Sequence, residues 1–260
     1  MNNALSTKED IFNEQTYIEH NPTLGYEDVA YKFSYIQKLL DELKFSHEEI
    51  SILDVGGGGG FLGKVIVEYL MSKGYKVKFF ALDVSLKMLE VQKSNNPYIT
   101  DVFNCYLDEL KMDVPFDLLL MIDVIEHIPD KDAASRKIQQ ICNYALYNIP
   151  TEVNAMALLK NIYMKNNYYK MQKDSLGHLH FFTYKTAYSH FSKFFTPIKC
   201  LFPNYAQHIL YTETTGFDVQ RNNKLRRYEL IISTFLYKYF KFLAPYLIDG
   251  SLFILGKSKK

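Results

Sequence analysis

The chain reads as an α/β protein with a doubly wound, mostly parallel sheet wrapped by helices. Three observations predict it. From Ser51 onward, short runs rich in β-branched and aromatic residues alternate with longer helical patterns, the arrangement of a parallel sheet. The run FDLLLMID (116–123) is apolar on both faces, as a central parallel strand should be. The first strand-like run passes straight into five glycines in LDVGGGGGFLG (53–63), the strand–loop–helix junction at which such sheets hold nucleotide-like ligands.

Each element follows from its spacing. Residues 27–43 place Val29, Phe33, Ile36, Leu39, Leu40 and Leu43 at helical intervals, predicting an N-terminal helix against the sheet or over its rim. SILDV (51–55) is the first strand, followed by a helix from about 60 to 72. KVKFFALD (76–83) is the second strand and 85–93 its helix; ITDVFNCY (99–106) is the third. After the fourth strand come a helix over 130–143 and a fifth strand, YALYNIP (144–150). Residues 151–182 read as a helix and then an Asn/Tyr/Lys-rich loop, and 183–195 as a helix. Residues 196–223 hold the strand-like PIKCLF and a polar, irregular stretch, YAQHILYTETTGFDVQRNN. A helix over 225–242 and a terminal strand, SLFILGK (251–257), complete a single domain spanning 1–260. Within it, 1–50 is a helical cap, 51–150 the ligand-binding core, and 151–260 the acceptor-binding and C-terminal part.

Composition narrows the function. With 30 basic and 29 acidic side chains the formal charge is +1, so nothing global favours a phosphate backbone, and no nucleic-acid partner is expected. Cys105, Cys142 and Cys200 form no CxxC pair, which argues against a zinc site or disulfide framework and for a reducing, cytoplasmic location. The polar, acidic start MNNALSTKEDIFNE is unlike a signal peptide. Lys238, Lys241 and Pro245 interrupt the most apolar late stretch, so no stable membrane insertion is expected.

The glycine run fits two templates. Asp54, Gly56, Gly58 and Gly60 fit D-x-G-x-G-x-G, while Gly58, Gly60 and Gly63 fit the dinucleotide pattern G-x-G-x-x-G. Only the first begins where the strand ends. It also adds Asp54, a strand-tip carboxylate that suits an ammonium group better than a pyrophosphate. Asp83, at the end of the second strand, is placed to accept both ribose hydroxyls of an adenosine.

These residues resemble the class I S-adenosylmethionine (SAM) dependent methyltransferases: LDVGGGGGFLG their first motif, ALDVSLKML (81–89) the second, and FDLLLMIDVIEHIPD (116–130) the fourth. GHLHFFTYKTA (177–187) with NIPTEVNAMALLKNIYMKNNYY (148–169) is similar to a region of methyltransferases from bacterial surface-polysaccharide clusters, most of which methylate sugars; NPTLGYEDVAYK (21–32) resembles the N-terminal helix of that branch. The resemblance implies a Rossmann-like seven-stranded sheet with substrate-capping insertions. SAM is then the cofactor, S-adenosylhomocysteine (SAH) the product, and a sugar or nucleotide-linked sugar the acceptor. It assigns cofactor contacts to Asp54, Gly56, Gly57, Gly58, Phe61, Asp83, Val84, Met88 and Ile122. Two departures stand out. Asn104, Cys105 and Tyr106 replace the usual glycine-acid pair of the third motif, and Gly57 and Gly59 occupy positions where small non-glycine residues are common.

Methylating a sugar hydroxyl requires alignment of oxygen, methyl and sulfur, and a base that is neutral near pH 7. Histidine meets the second need. His127, directly after the fourth strand, is the first candidate, with Asp123 or Glu126 to orient its ring; His178 is the alternative. His178 and His180 should point to one side of an extended segment. No compact oxygen-ligand cluster is visible, so no metal is expected. The 225–242 helix reads as packing on the core or on a second subunit of a homodimer, with an interfacial anchor as the other reading. Residues 205–218 are an expected acceptor-shaping segment. Other acceptors, quinone-like or carboxylate, and a non-catalytic SAM-binding module are the alternatives.

Overall fold

The structure, a computed structural model, describes residues 23–112 and 114–260; residues 1–22, the first part of the expected cap, lie outside the described residues. Seven strands form one sheet: β1 (Glu49–Val55), β2 (Lys76–Asp83), β3 (Ile99–Asn104), β4 (Phe116–Ile122), β5 (Cys142–Thr151), β6 (Phe195–Leu201) and β7 (Gly250–Ser258). Their order is β3-β2-β1-β4-β5-β7-β6, with β7 antiparallel to both neighbours and the other pairings parallel. The main helices are α1 (Val29–Leu40), α2 (Phe61–Ser72), α3 (Leu86–Asn95), α4 (Lys131–Ile141), α5 (Ala155–Tyr163), α6 (Tyr168–Leu176), α7 (Tyr184–Phe194), α8 (Tyr205–Tyr211), α9 (Asp218–Asn222) and α10 (Lys224–Tyr239).

The two-residue period of the strands sorts the core into two layers. Leu53 and Val55 of β1 lie with Leu119 and Met121 of β4 on one face, closed by Ile138 of α4 and Phe191 of α7. Ile50 and Ile52 lie with Leu118 and Leu120 on the other, closed by Ile36 and Leu39 of α1 and Ile66 and Leu70 of α2. Each such side chain, fully buried, contributes about 1.5–3 kcal/mol. A strand apolar on both faces therefore belongs at the centre, and β4 is there, its one polar residue, Asp117, accepting from Ser51 of β1.

Strand order also places the site. β1 lies between β2 and β4, so the chain runs outward through β2 and β3 and then crosses back to β4. Loops leaving β1 and β4 diverge, and a crevice opens at their C-terminal ends. Val55 is in register with Leu82 and Met121, which brings the next residues, Gly56, Asp83 and Ile122, to one rim.

Several boundaries differ from the sequence expectation. The third strand ends at Asn104, whose side chain turns back to donate to the carbonyls of Asp83 and Val84. The fourth helix stops at Ile141 because β5 begins at Cys142. Residues 168–176 form a helix where a loop is expected, ended by Gly177 in the left-handed conformation. The irregular stretch 205–223 is largely helical: Asn204 caps α8 by accepting from the Gln207 amide, and Ala206 and Ile209 are buried one turn apart.

Candidate functional site

The glycine loop is held by its backbone. Gly56 N–H donates to the Leu82 carbonyl at 2.8 Å, and Gly60 N–H closes a turn on the Gly57 carbonyl at 3.0 Å. Gly56, Gly58 and Gly60 have φ of 65°, 55° and 79°, a region that side chains with Cβ seldom enter. The remaining two answer a different constraint. A Cβ on Gly57 would stand 2.4 Å from Asp54 Oδ2, and one on Gly59 2.7 Å from the Phe61 ring and 3.0 Å from Leu24 Cβ. Leu24 lies just before α1, so the N-terminal segment lies directly over the loop; Tyr26 meets Phe61 edge-on at 5.0 Å.

Two carboxylates flank the loop. Asp54 is 5% exposed, and burial, with the nearby charge of Asp83, pushes its carboxyl up to about 7. Asp83 is less buried; its Oδ1 accepts from the Ser85 amide at 3.0 Å and its Oδ2 faces Gln92 Nε2 at 3.4 Å. Gln92 Oε1 is buried without a hydrogen-bond partner and faces Gly57. The loop floor is thus rich in acceptors and seeks a cation. Val84 is exposed beside it, Ile122 half-buried at the tip of β4, and the Met88 side chain buried beneath.

A second cluster follows β4. Asp123 takes φ 55°, an uncommon conformation for a non-glycine residue. Its carboxylate pairs with Lys32 at 2.8 Å and accepts from Asn148 Nδ2 at 2.6 Å. The His127 ring is held instead by its own neighbours: Nδ1 donates to the Gly177 carbonyl at 3.2 Å, and Nε2 lies 3.9 Å from Glu126 Oε1. His178 packs against it edge-on at 4.8 Å and donates from Nδ1 to Glu152 Oε2 at 2.8 Å. Burial and the neighbouring His178 hold the His127 pKa down at about 4, so the ring is neutral near pH 7. Glu126 is 1% exposed, and neither carboxyl oxygen has a hydrogen-bond partner; burial, then the charge of Asp123, raises its pKa well above the ordinary range. Both His178 and His180 turn inward, as alternation predicts, with His180 Nε2 2.9 Å from the Ile128 carbonyl.

Beside this cluster lies a cavity of about 980 Å³. Asp123, Asn148 and Glu152 form its strand-end wall, and Tyr31, Tyr168, Tyr205 and Tyr228 offer aromatic surface. Its far wall is a charge network: Lys160 Nζ reaches Asp249 at 2.5 Å, Glu229 at 2.9 Å and the Tyr168 hydroxyl at 3.2 Å, and Arg226 pairs with Glu229 at 2.6 Å. Asn154 completes it, donating to Asp249 at 2.7 Å. His127 and His178 do not line this cavity, but Glu152, which holds His178, does. The sequence reading passes over Lys160, Arg226, Glu229 and Asp249. The one local sign was the Arg226–Glu229 spacing on a helix face, which is common on solvated helices.

Residues 53–143 match a family model described as "Methyltransferase domain". Over that stretch the chain is similar to methyltransferase domains, and its seven-stranded sheet has the methyltransferase fold. The ubiquinone biosynthesis O-methyltransferase of Rickettsia typhi is 29% identical over 97 residues, 36% of this chain and 38% of that protein, so the match spans well under half of the relative's length. Among solved structures, Haemonchus contortus phosphoethanolamine N-methyltransferase 2 superposes with TM-score 0.61 at 13% identity, over 95% of this chain and 58% of that one. The N-methyltransferase NodS of Bradyrhizobium japonicum, in complex with SAH, gives 0.53 at 10% identity, over 95% and 100%. At those identities the likeness is one of fold.

The residues of the glycine loop and the adjoining strand ends fit SAM. Two carboxylates and the unpartnered Gln92 oxygen would repel a pyrophosphate but suit an ammonium and a ribose diol. The dinucleotide template offered by Gly58, Gly60 and Gly63 is therefore disfavoured by charge.

Proposed function

We propose that the chain is a SAM-dependent O-methyltransferase acting on a hydroxyl of a sugar, nucleotide-linked or in a glycan of a bacterial surface polysaccharide. The observation that carries this reading is the cavity: large, tyrosine-walled and edged with paired charges, it starts at Asp123, one residue beyond the rim that carries the loop. Aromatic faces suit sugar rings, and fixed donors and acceptors suit their hydroxyls. The similarity of GHLHFFT to sugar methyltransferases supports the same acceptor.

In this reading Asp54 receives the cofactor's ammonium and Asp83 its ribose hydroxyls. Gly56, Gly57 and Gly58 keep the floor bare, while Phe61, Val84, Met88 and Ile122 border it. When bound, SAM supplies an electrophilic methyl group that carries its own leaving group. The protein's share is alignment, and disposal of the hydroxyl proton at the His127–His178 pair, beside the rim and next to the cavity wall at Glu152. Unpaired thiols at Cys105, Cys142 and Cys200 support a cytoplasmic location. The outward row Ile231, Phe235 and Tyr239 on α10 supports a subunit contact in a homodimer. Among the described residues no helix is long and apolar enough to cross a membrane.

Purified protein incubated with SAM and a panel of nucleotide sugars and oligosaccharides should release SAH. A phenolic, quinone-precursor acceptor is the second reading, favoured by the ubiquinone O-methyltransferase relative. Turnover on phenols with none on sugars would replace the first reading with the second.

A further inference from the structure

We infer that Glu126, His127 and His178 form a binding site for a divalent transition-metal cation of the manganese-to-zinc type, beside the acceptor cavity. One ligand atom from each of the three lies within 4.8 Å of the others. Donors about 2.0–2.2 Å from a shared ion stand up to about 4.4 Å apart, so a contraction of a few tenths of an ångström closes the set.

Each side chain is prepared on its far side. His127 Nδ1–H is spent on the Gly177 carbonyl at 3.2 Å and His178 Nδ1–H on the Glu152 carboxylate at 2.8 Å. Both bonds fix the tautomer that leaves the Nε2 lone pair for a ligand, and a carboxylate behind a ligating histidine is the usual support of metal sites. The independent observation is Glu126. Its carboxyl is 1% exposed, and both oxygens lack any hydrogen-bond partner, a costly state that a cation would relieve. Asp123 lies close by but is committed to Lys32 and Asn148, so three protein donors are available and further positions stay open. Two imidazoles and one carboxylate select borderline cations over magnesium or calcium, which take oxygen.

Such a site would run against the expectation that no metal takes part, and it would make His127 a ligand rather than a base. A lone pair committed to a cation cannot also take a proton. The cation would then lower the pKa of an acceptor hydroxyl entering from the exposed side of His127, with the proton passing to solvent.

Binding is read directly on the whole chain after chelator treatment, by titration calorimetry with MnCl₂ and ZnCl₂ and by the visible spectrum of the CoCl₂ complex. One equivalent is expected to bind. Glu126→Gln and His178→Ala should weaken binding at least tenfold, Glu152→Gln about 10- to 100-fold, and His47→Ala, near the opposite end of β1, not at all. Circular dichroism confirms that each variant is folded. No binding by the folded wild type, or binding unchanged in both Glu126→Gln and His178→Ala, overturns the site. Methyl transfer is not read in this experiment, so a wrong acceptor assignment leaves its outcome untouched.

Discussion

Replacing Asp54 with asparagine separates the two things its carboxyl does, because the amide keeps the shape and removes the charge. In the ligand-free protein that carboxyl ionises at about 7, driven up first by burial and then by Asp83. An ammonium group binds the ionised form, so affinity should fall as the pH drops below 7. If binding requires the carboxylate, the apparent Kd scales as 1 + 10^(7 − pH), a rise of roughly 16-fold between pH 7 and pH 5.5. The ligand's own amine stays protonated throughout that window. Isothermal titration with SAH should show this slope in the wild type and a weak, nearly flat profile in Asp54→Asn. Stability should change in the opposite direction. A carboxyl whose pKa is raised by the fold favours folding at low pH and penalises it as pH rises through about 7. Relieving that penalty should stabilise the ligand-free variant by a few kcal/mol, roughly, at pH 8. A wild-type affinity independent of pH, or an Asp54→Asn variant that keeps the slope, would refute the ammonium assignment.

Gly57→Ala should abolish thermal stabilisation by SAH while costing the ligand-free fold about 1–3 kcal/mol, because its Cβ would stand 2.4 Å from Asp54 Oδ2; normal SAH binding would show that the loop gives way more easily than its packing implies. His127→Ala should lower turnover at least about 10²-fold with SAH affinity nearly unchanged, and comparable kcat values for variant and wild type would remove His127 from the reaction. His190 is buried, its Nε2 3.0 Å from Ser135 Oγ, and burial lowers its pKa to about 4. The fold holds it neutral, so its contribution is complete above pH 6.5 and is lost as pH falls toward 4, about 1.4 kcal/mol per pH unit. Urea unfolding at pH 7 and pH 5 should show a shallower decline for His190→Gln; equal declines would contradict this account.

How much was legible follows from the range of each signal. β4 shows itself through the unbroken apolar run 118–122, and Asp54 and Asp83 lie at the ends of strands whose alternation is local. Gly57 and Gly59 read as surplus in the sequence, since both have ordinary φ; only the approach of Asp54, Phe61 and Leu24 makes them necessary. The helices at 168–176 and 205–211 were hidden by polar, tyrosine-rich stretches: the first buries Tyr168 and the second Ala206 and Ile209, too few for a readable period. Of the two residues expected to orient His127, Glu126 lies 3.9 Å from its Nε2. Asp123, four residues away, turns to Lys32 of α1, and the ring is instead held by Gly177, which is 50 residues distant.

By itself, the sequence determined the α/β class, the strand-end position of the glycine loop, and the acidic pair beside it. Periodicity, turn chemistry and residue type act over a few residues and need no tertiary partner to be read. Tertiary structure decided that the fifth strand brings Glu152 behind His178, that His178 meets His127 and Glu126, and that Lys160, the Arg226–Glu229 pair and Asp249 from three separate segments become one wall. Those encounters depend on strand order and on the return of the chain across the sheet, and buried charges become stable only once their partners arrive.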